Sequence, residues 1–363
     1  MTEISDITLF NSPFFNIAIV SVGTLFWILL GIFLAPIIGL VDRPSHRKKH
    51  EKNIPLIGGI ALFLGLVPAF FILNNPIPHQ ERFWLASLLI LLIGVWDDRV
   101  GLSIKKRFFI EILIALIITA GGGLIVMTLG NLIGLGSIEL GIFEVPFTII
   151  CIVGVINALN MVDGIDGLLV GLTMVSLLAM LYLATVVGRV AEAEMIIMII
   201  SALIPIFIFN SRLFGQKSAR LFMGDGGSKL LGLFLVWFTI SLSQSYAPQN
   251  ADKVAAAFPA AGALWLLAIP LIELFSSILR RLTIGKNPFK PDVKHIHHLL
   301  LSAGFSVNQA LIIIMGIATF MALIAITAFA FAISDEILFV SLLCIYAAYS
   351  IFAHKYWADK ALN

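Results

Sequence analysis

Residues 143–167 read FEVPFTIICIVGVINALNMVDGIDG. The first part, 143–159, is apolar over nearly the length an α-helix needs to cross about 30 Å of hydrocarbon. The second part sets Asn157, Asn160, Asp163 and Asp166 at intervals of three. Helix neighbours three apart share a face, so the first three project together. Gly164 and Gly167 then let the backbone turn and approach a ligand closely. Asparagines can also join membrane helices by hydrogen bonds, but two carboxylates with two amides exceed what that joining requires. The stretch reads as a transmembrane helix that ends in a polar site.

Outward from it, ten further apolar runs lie near 14–38, 54–73, 83–96, 108–128, 168–187, 194–210, 230–243, 255–279, 309–332 and 337–353. The chain is 60% hydrophobic and 12% charged, where soluble domains are about 45–50% apolar and about 25% charged. The surplus faces lipid. The expected fold is all-α and polytopic, one integral membrane domain over 1–363 with about eleven spans. Of the 23 Lys and Arg, all but Arg82, Arg189 and Lys253 fall in alternate connections or the C-terminal tail. The positive-inside rule then puts the N-terminus outside and the C-terminus in the cytoplasm. The N-terminal MTEISDITLFNSPFF has acidic residues and no basic region, so no cleavable signal peptide is expected. Cys151 and Cys344 lie within apolar runs, without metal spacing or a disulfide framework.

Polar clusters concentrate in the cytoplasmic connections near 39–54, 97–107, 157–167, 210–229 and 280–308. Asp97 and Asp98 end the third run. Two carboxylates at a helix C-terminus oppose the macrodipole, and a divalent cation is the economical offset. Asp225 stands among glycines in Gly224-Asp225-Gly226-Gly227, at the start of the eighth run. Asp there is also a common helix cap, but the basic stretch Arg212–Arg220 before it favours an anion site. Lys286, Lys290 and Lys294 precede His295-Ile296-His297-His298. With no Cys or acidic completion this is a poor zinc motif; imidazolium and ammonium groups donating to phosphate oxygens make it a phosphate clamp. Oxygen ligands suit Mg²⁺, with Mn²⁺ as the alternative. No P-loop or Rossmann fingerprint is present. Metal, phosphate and membrane together point to phosphoryl transfer between a soluble nucleotide compound and a lipid.

These motifs resemble those of the polyprenyl-phosphate N-acetylhexosamine-1-phosphate transferases, closest to the bacterial undecaprenyl-phosphate N-acetylglucosamine-1-phosphate transferases. The resemblance runs from Gly39-Leu40-Val41-Asp42-Arg43-Pro44 to Ala303-Gly304-Phe305. It takes in Ile54-Pro55-Leu56-Ile57-Gly58-Gly59, the Asp97-Asp98 pair, 157–167, 222–228 and the histidine loop. It implies eleven helices. It implies acceptor activation and the metal region for Asp97 and Asp98, and metal ligation for Asp225, with Asn160 beside the metal. Phe222 matches an aromatic that stacks on uracil, and Asp166 a residue that hydrogen-bonds the base. Lys105 and Arg107 fall near the phosphates, and His295, His297 and His298 near the sugar-pyrophosphate. Asp163 is counted with the catalytic carboxylates, Asn157 and Lys52 with the substrate-binding residues, and Asp98 with the metal set. Glu273 stands where the similar proteins carry Asp. The His-Ile-His-His order argues against the branch that uses a muramyl-pentapeptide nucleotide, which has three consecutive histidines.

The expected activity is transfer of N-acetylglucosamine-1-phosphate from UDP-N-acetylglucosamine to undecaprenyl phosphate, giving the lipid-linked diphosphate sugar and UMP, the first step toward a cell-surface polysaccharide. The expected place is the bacterial cytoplasmic (inner) membrane, in contact with membrane lipid, with no nucleic-acid partner and a homodimer left open. Another UDP-N-acetylhexosamine is the alternative donor. The rival from another class is an ion-coupled transporter, which would carry polar groups near the midplane, often on inverted repeats. Here no repeat is visible and the charge gathers at one face.

Overall fold

The computed structural model of the chain describes residues 13–42, 53–121, 123–245, 256–287 and 294–362. These form α1 (Pro13–Ile38), α2 (Gly58–Ile72), α3 (Gln80–Val100), α4 (Ile104–Thr119), α5 (Glu144–Val162), α6 (Leu168–Val186) and α7 (Val190–Asn210). There follow α8 (Gly224–Ser243), α9 (Ala260–Leu266), α10 (Ala268–Thr283), α11 (Ile296–Ser302), α12 (Val307–Ala330) and α13 (Asp335–Leu362). One ribbon interrupts the helical pattern: β1 (Val41–Asp42) pairs antiparallel with β2 (Ile54–Pro55). Each expected apolar run contributes a helix. Among the described residues, seven helices are long and apolar enough to cross a membrane: α1, α5, α6, α7, α8, α12 and α13. The bent pair α9–α10 makes an eighth if it is one span. The others fall short by length or charge. α2 has 15 residues and α4 has 16; α3 carries Glu81 in its first turn and Arg99 in its last.

Three departures from the expected runs have local causes. The second run begins extended, because Ile54 and Pro55 pair with β1 before α2 starts. The fourth ends at Thr119, where Gly121-Gly122-Gly123 follows and glycine costs a helix about 1 kcal/mol per residue. The ninth, expected as one helix, bends by 84° between α9 and α10. Pro270, in the first turn of α10, has no N–H to give the carbonyl four residues earlier. That carbonyl, Leu266 O, instead accepts the Ser176 hydroxyl of α6 at 2.7 Å.

Buried share sets the radial order. The apolar window of α8 is 94% buried, against 17% in α1 and 11% in α13. A helix apolar on all faces belongs in the centre of a bundle. The outer helices expose Phe14, Phe33, Ile351 and Phe352, as a lipid-facing surface requires. Backbone contacts bring α2 and α3 against the start of α8. A Cβ on Gly94 would collide with Gly226, and one on Gly59 with Gly227. Only glycine permits this approach, and it positions the site.

Candidate active site at the amino end of α8

The last turn of α3 meets the first turn of α8. Asp98 accepts the backbone N–H of Asp225 at 2.9 Å and of Gly226 at 3.5 Å. It thus satisfies donors that a helix start leaves unpaired, where the macrodipole favours an anion. Asp97 is 5% exposed. It accepts the Leu102 N–H at 2.7 Å, Arg107 Nη1 at 3.2 Å and Lys229 Nζ at 3.2 Å. Asp97 is offset by two cations, and Asp98 by the α8 amides.

Lys229 was counted from sequence as a loop cation. It lies inside the bundle, with its ammonium also 3.5 Å from Glu111 Oε1. Glu111 in turn accepts Asn157 Nδ2 at 2.6 Å. The buried relay Asp97–Lys229–Glu111–Asn157 links α3, α8, α4 and α5. The sequence does not mark Lys229 as a site residue. The signal present was a lysine four residues after Asp225, one turn along the same helix face.

Asn160 Oδ1 accepts the Ser228 hydroxyl at 2.6 Å, and that hydroxyl also reaches Asp225 O at 3.3 Å. Arg107 comes within 3.7 Å of Asp225 Oδ2. Asp163 follows α5 and is exposed. Crowding, then the charges of Asp225, Asp98 and Asp166, pushes its carboxyl up to about 7. Asp166 accepts Arg212 Nε at 2.6 Å and the Ala219 N–H at 3.0 Å, tying the α5–α6 loop to the α7–α8 loop. Phe222 is half-buried and held by its backbone, which accepts from Gly58 at 2.9 Å and donates to Pro55 at 2.8 Å. Lys105 is exposed at the start of α4. Lys52 lies outside the described residues.

The histidines divide. His295 Nδ1 lies 2.9 Å from Glu273 Oε2, and Glu273 also accepts the Tyr349 hydroxyl; Glu273 thus holds His295. His297 is 1% exposed, and neither of its ring nitrogens has a hydrogen-bond partner among the described residues. Burial, then the proximity of His298 and His295, lowers its pKa to about 3. Burial thus favours the neutral imidazole at His297. Its Nε2 lies over Gly164, where a Cβ would collide with it, so the α11 segment is brought to the Asp163 loop. Lys286 and Lys294, expected to share the phosphate clamp, instead line a cavity with α13.

Fold and site together define a multi-pass α-helical membrane protein with a carboxylate-rich centre at one end of its bundle. Comparison with known proteins narrows the class. The family described as glycosyl transferase family 4 matches residues 82–243, which include most of α3 and all of α5 and α8. A Yersinia pestis undecaprenyl-phosphate alpha-N-acetylglucosaminyl 1-phosphate transferase is 37% identical over 80% of this chain and 77% of its own. A Pasteurella multocida protein of the same description is 36% identical over 90% of both, and one from Escherichia coli strain K12 is 34% identical over 80% and 77%. The chain belongs to this family of polyprenyl-phosphate sugar-1-phosphate transferases.

Proposed function

We propose that the chain transfers N-acetylglucosamine-1-phosphate from UDP-N-acetylglucosamine to undecaprenyl phosphate. A phosphate oxygen of the lipid forms a bond to the sugar-proximal phosphorus of the donor. The bond from that phosphorus to the bridging oxygen breaks, and UMP leaves with the electron pair. The observation that carries this reading is the meeting of Asp97, Asp98, Asn160 and Asp225 around the start of α8, with Arg107 alongside, in a chain similar to transferases so described. The lipid phosphate monoester has a second pKa of about 6, so it is already largely dianionic at neutral pH. The residues then act mainly by positioning and electrostatics, as phosphoryl transfer requires. Arg107 is placed to draw negative charge, and Lys105 to receive phosphate at the site's rim. Phe222 stacks on uracil, and Asp166 reads the base while bracing its loop. His295, held by Glu273, and His298 face the sugar-pyrophosphate, with His297 as a neutral wall.

The donor chemistry fits Mg²⁺, although no three Asp, Glu, His or Cys side chains are grouped as a finished cage among the described residues. Carboxylate and amide oxygens are hard ligands. Arg107 and Lys229 both bond Asp97, while the charges around Asp163 repel one another, so further positive charge is accommodated. Asp225 and Asn160 would hold the ion, and Asp98 can add an oxygen because a carboxylate has about four acceptor positions. The ion would supply charge neutralisation on the pyrophosphate. Eleven spans, with the N-terminus outside and this end of the bundle in the cytoplasm of an inner membrane, complete the proposal. The basic-residue alternation supports them.

The test is incubation of purified protein with radiolabelled UDP-N-acetylglucosamine, undecaprenyl phosphate and Mg²⁺. Label extractable into organic solvent is expected, with UMP released in equal amount. Absence of both would sink the reading, and a higher rate with another UDP-N-acetylhexosamine would reassign the donor.

A further inference from the structure

Glu273 lies inside α10 and is 2% exposed. Its two carboxylate oxygens have different partners. Oε1 accepts the hydroxyl of Tyr349, from α13. Oε2 lies 2.9 Å from Nδ1 of His295, the residue just before α11. A buried carboxylate needs such partners, because its desolvation is otherwise uncompensated. A tie between α10 and α13 would need only the tyrosine, and the Ser276–Ser350 hydroxyl pair, at 2.7 Å, already supplies one. The oxygen turned to the imidazole does something a tie does not require. It fixes the rotation of the ring. Since an ionised carboxylate only accepts hydrogen bonds, it also fixes a proton on Nδ1. Nε2, across the ring, is then the nitrogen that meets a ligand.

Packing carries the ring's orientation to the site. His295 stacks on His297, with ring centres 5.7 Å apart and planes 22° from parallel. His297 lies against Gly164, in the loop that carries Asp163. On the other side, α13 is joined to α11 as well as to α10. Tyr356 meets the Ser302 hydroxyl at 2.7 Å, and Lys360 Nζ donates to Ser302 O at 2.8 Å. Tyr349 is thus held in register with Glu273 by a helix that lies outside the family-matched segment 82–243. We propose that Tyr349 and Glu273 are positioning residues for the transfer. Tyr349 aims the Glu273 carboxylate, and Glu273 holds His295 with Nδ1 protonated and Nε2 presented to the sugar-pyrophosphate of the donor. This assignment rests on the transfer reading above.

The test uses the purified full chain. Tyr349→Phe keeps the ring and loses only the hydroxyl, so its melting temperature should stay near the parent's. Its kcat should fall about tenfold, and that of Glu273→Gln about a hundredfold, with the lipid KM unchanged in both. Partners that orient a metal-bound imidazole are worth a similar ten- to a hundredfold. His295→Asn keeps a donor near the Nδ1 position and removes Nε2. In that background Tyr349→Phe should cause no further loss, because its effect passes through the ring. An equal loss in both backgrounds would make the contact a structural tie and overturn the assignment, as would unchanged kcat in folded Tyr349→Phe. A second measurement does not depend on turnover. In nitrogen-15 solid-state spectra of the histidine-labelled chain, the signal missing from His295→Asn should show a protonated Nδ1. An unprotonated Nδ1 would overturn the assignment. A wild-type chain without transferase activity would sink the transfer reading, and the nitrogen spectrum would still decide how His295 is held.

Discussion

The Lys229 ammonium lies 3.2 Å from the Asp97 carboxylate, with side-chain exposures of 1% and 3%. Neither charge can turn to water, and Glu111 is the third member of the cluster. Removing one partner from a buried pair costs about 3–5 kcal/mol, because the other charge is stranded. Lys229→Met should therefore lower thermal stability sharply in detergent, and adding Glu111→Gln should recover part of the loss. A Lys229→Met protein that melts like the parent would show that the ammonium does not hold this relay together.

Asp225→Asn keeps the size of the side chain, removes its charge and replaces one acceptor oxygen by a donor. Turnover should fall by orders of magnitude while expression and melting stay near the parent's. Chelation with EDTA should abolish wild-type activity, and Mg²⁺ should restore it. Near-normal turnover of the variant across Mg²⁺ concentrations would leave Asp225 with a helix-start role only.

Phe222 is anchored through its backbone, so Phe222→Ala should leave the loop path intact. Stacking of a base on an aromatic ring contributes ~1–3 kcal/mol. Donor KM should rise about ten- to a hundredfold, at roughly tenfold per 1.4 kcal/mol, with the lipid KM barely changed. Steady-state kinetics in both substrates decide it: a raised lipid KM with an unchanged donor KM places Phe222 in the lipid groove.

His297 binds a proton only near pH 3 in the folded chain, against 6.5 for an ordinary histidine. Between these values the unfolded chain holds the extra proton, so stability falls as pH drops from 6.5 toward 3. Above 6.5 this group contributes no pH dependence. Melting temperature recorded from pH 7 down to 4.5 should decline less steeply in His297→Asn than in the parent. Parallel slopes would assign the acid loss to other groups.

Asn75 and Ser218 are both exposed and lie toward opposite ends of the bundle. In a background lacking Cys151 and Cys344, a cysteine at position 75 should react with an impermeant thiol reagent added to intact cells. One at 218 should not. The reverse pattern would invert the proposed orientation and remove the nucleotide's access from the cytoplasm.

Lipid exposure is written in runs of apolar residues, because each helix must satisfy its own backbone and hide it from hydrocarbon. The sequence by itself therefore located a helix in every run, and it marked Asp97, Asp98, Asn160, Asp163 and Asp225 as misplaced in so apolar a chain. Its polar outliers also carried the family resemblance that the comparisons confirm. What it could not settle was which charges meet. Lys229 looks like one more loop cation until α8 is placed at the centre, and Glu111 has no partner until α4 packs beside it. The bend at Leu267 needed Pro270 together with a hydroxyl from α6 to take the freed carbonyl. The histidine loop reads as one basic clamp, yet packing leaves His297 buried and neutral and turns Lys294 toward α13. These outcomes depend on distances between residues far apart in the chain, and only tertiary packing decides whether a charge ends beside its opposite, beside an amide or in water.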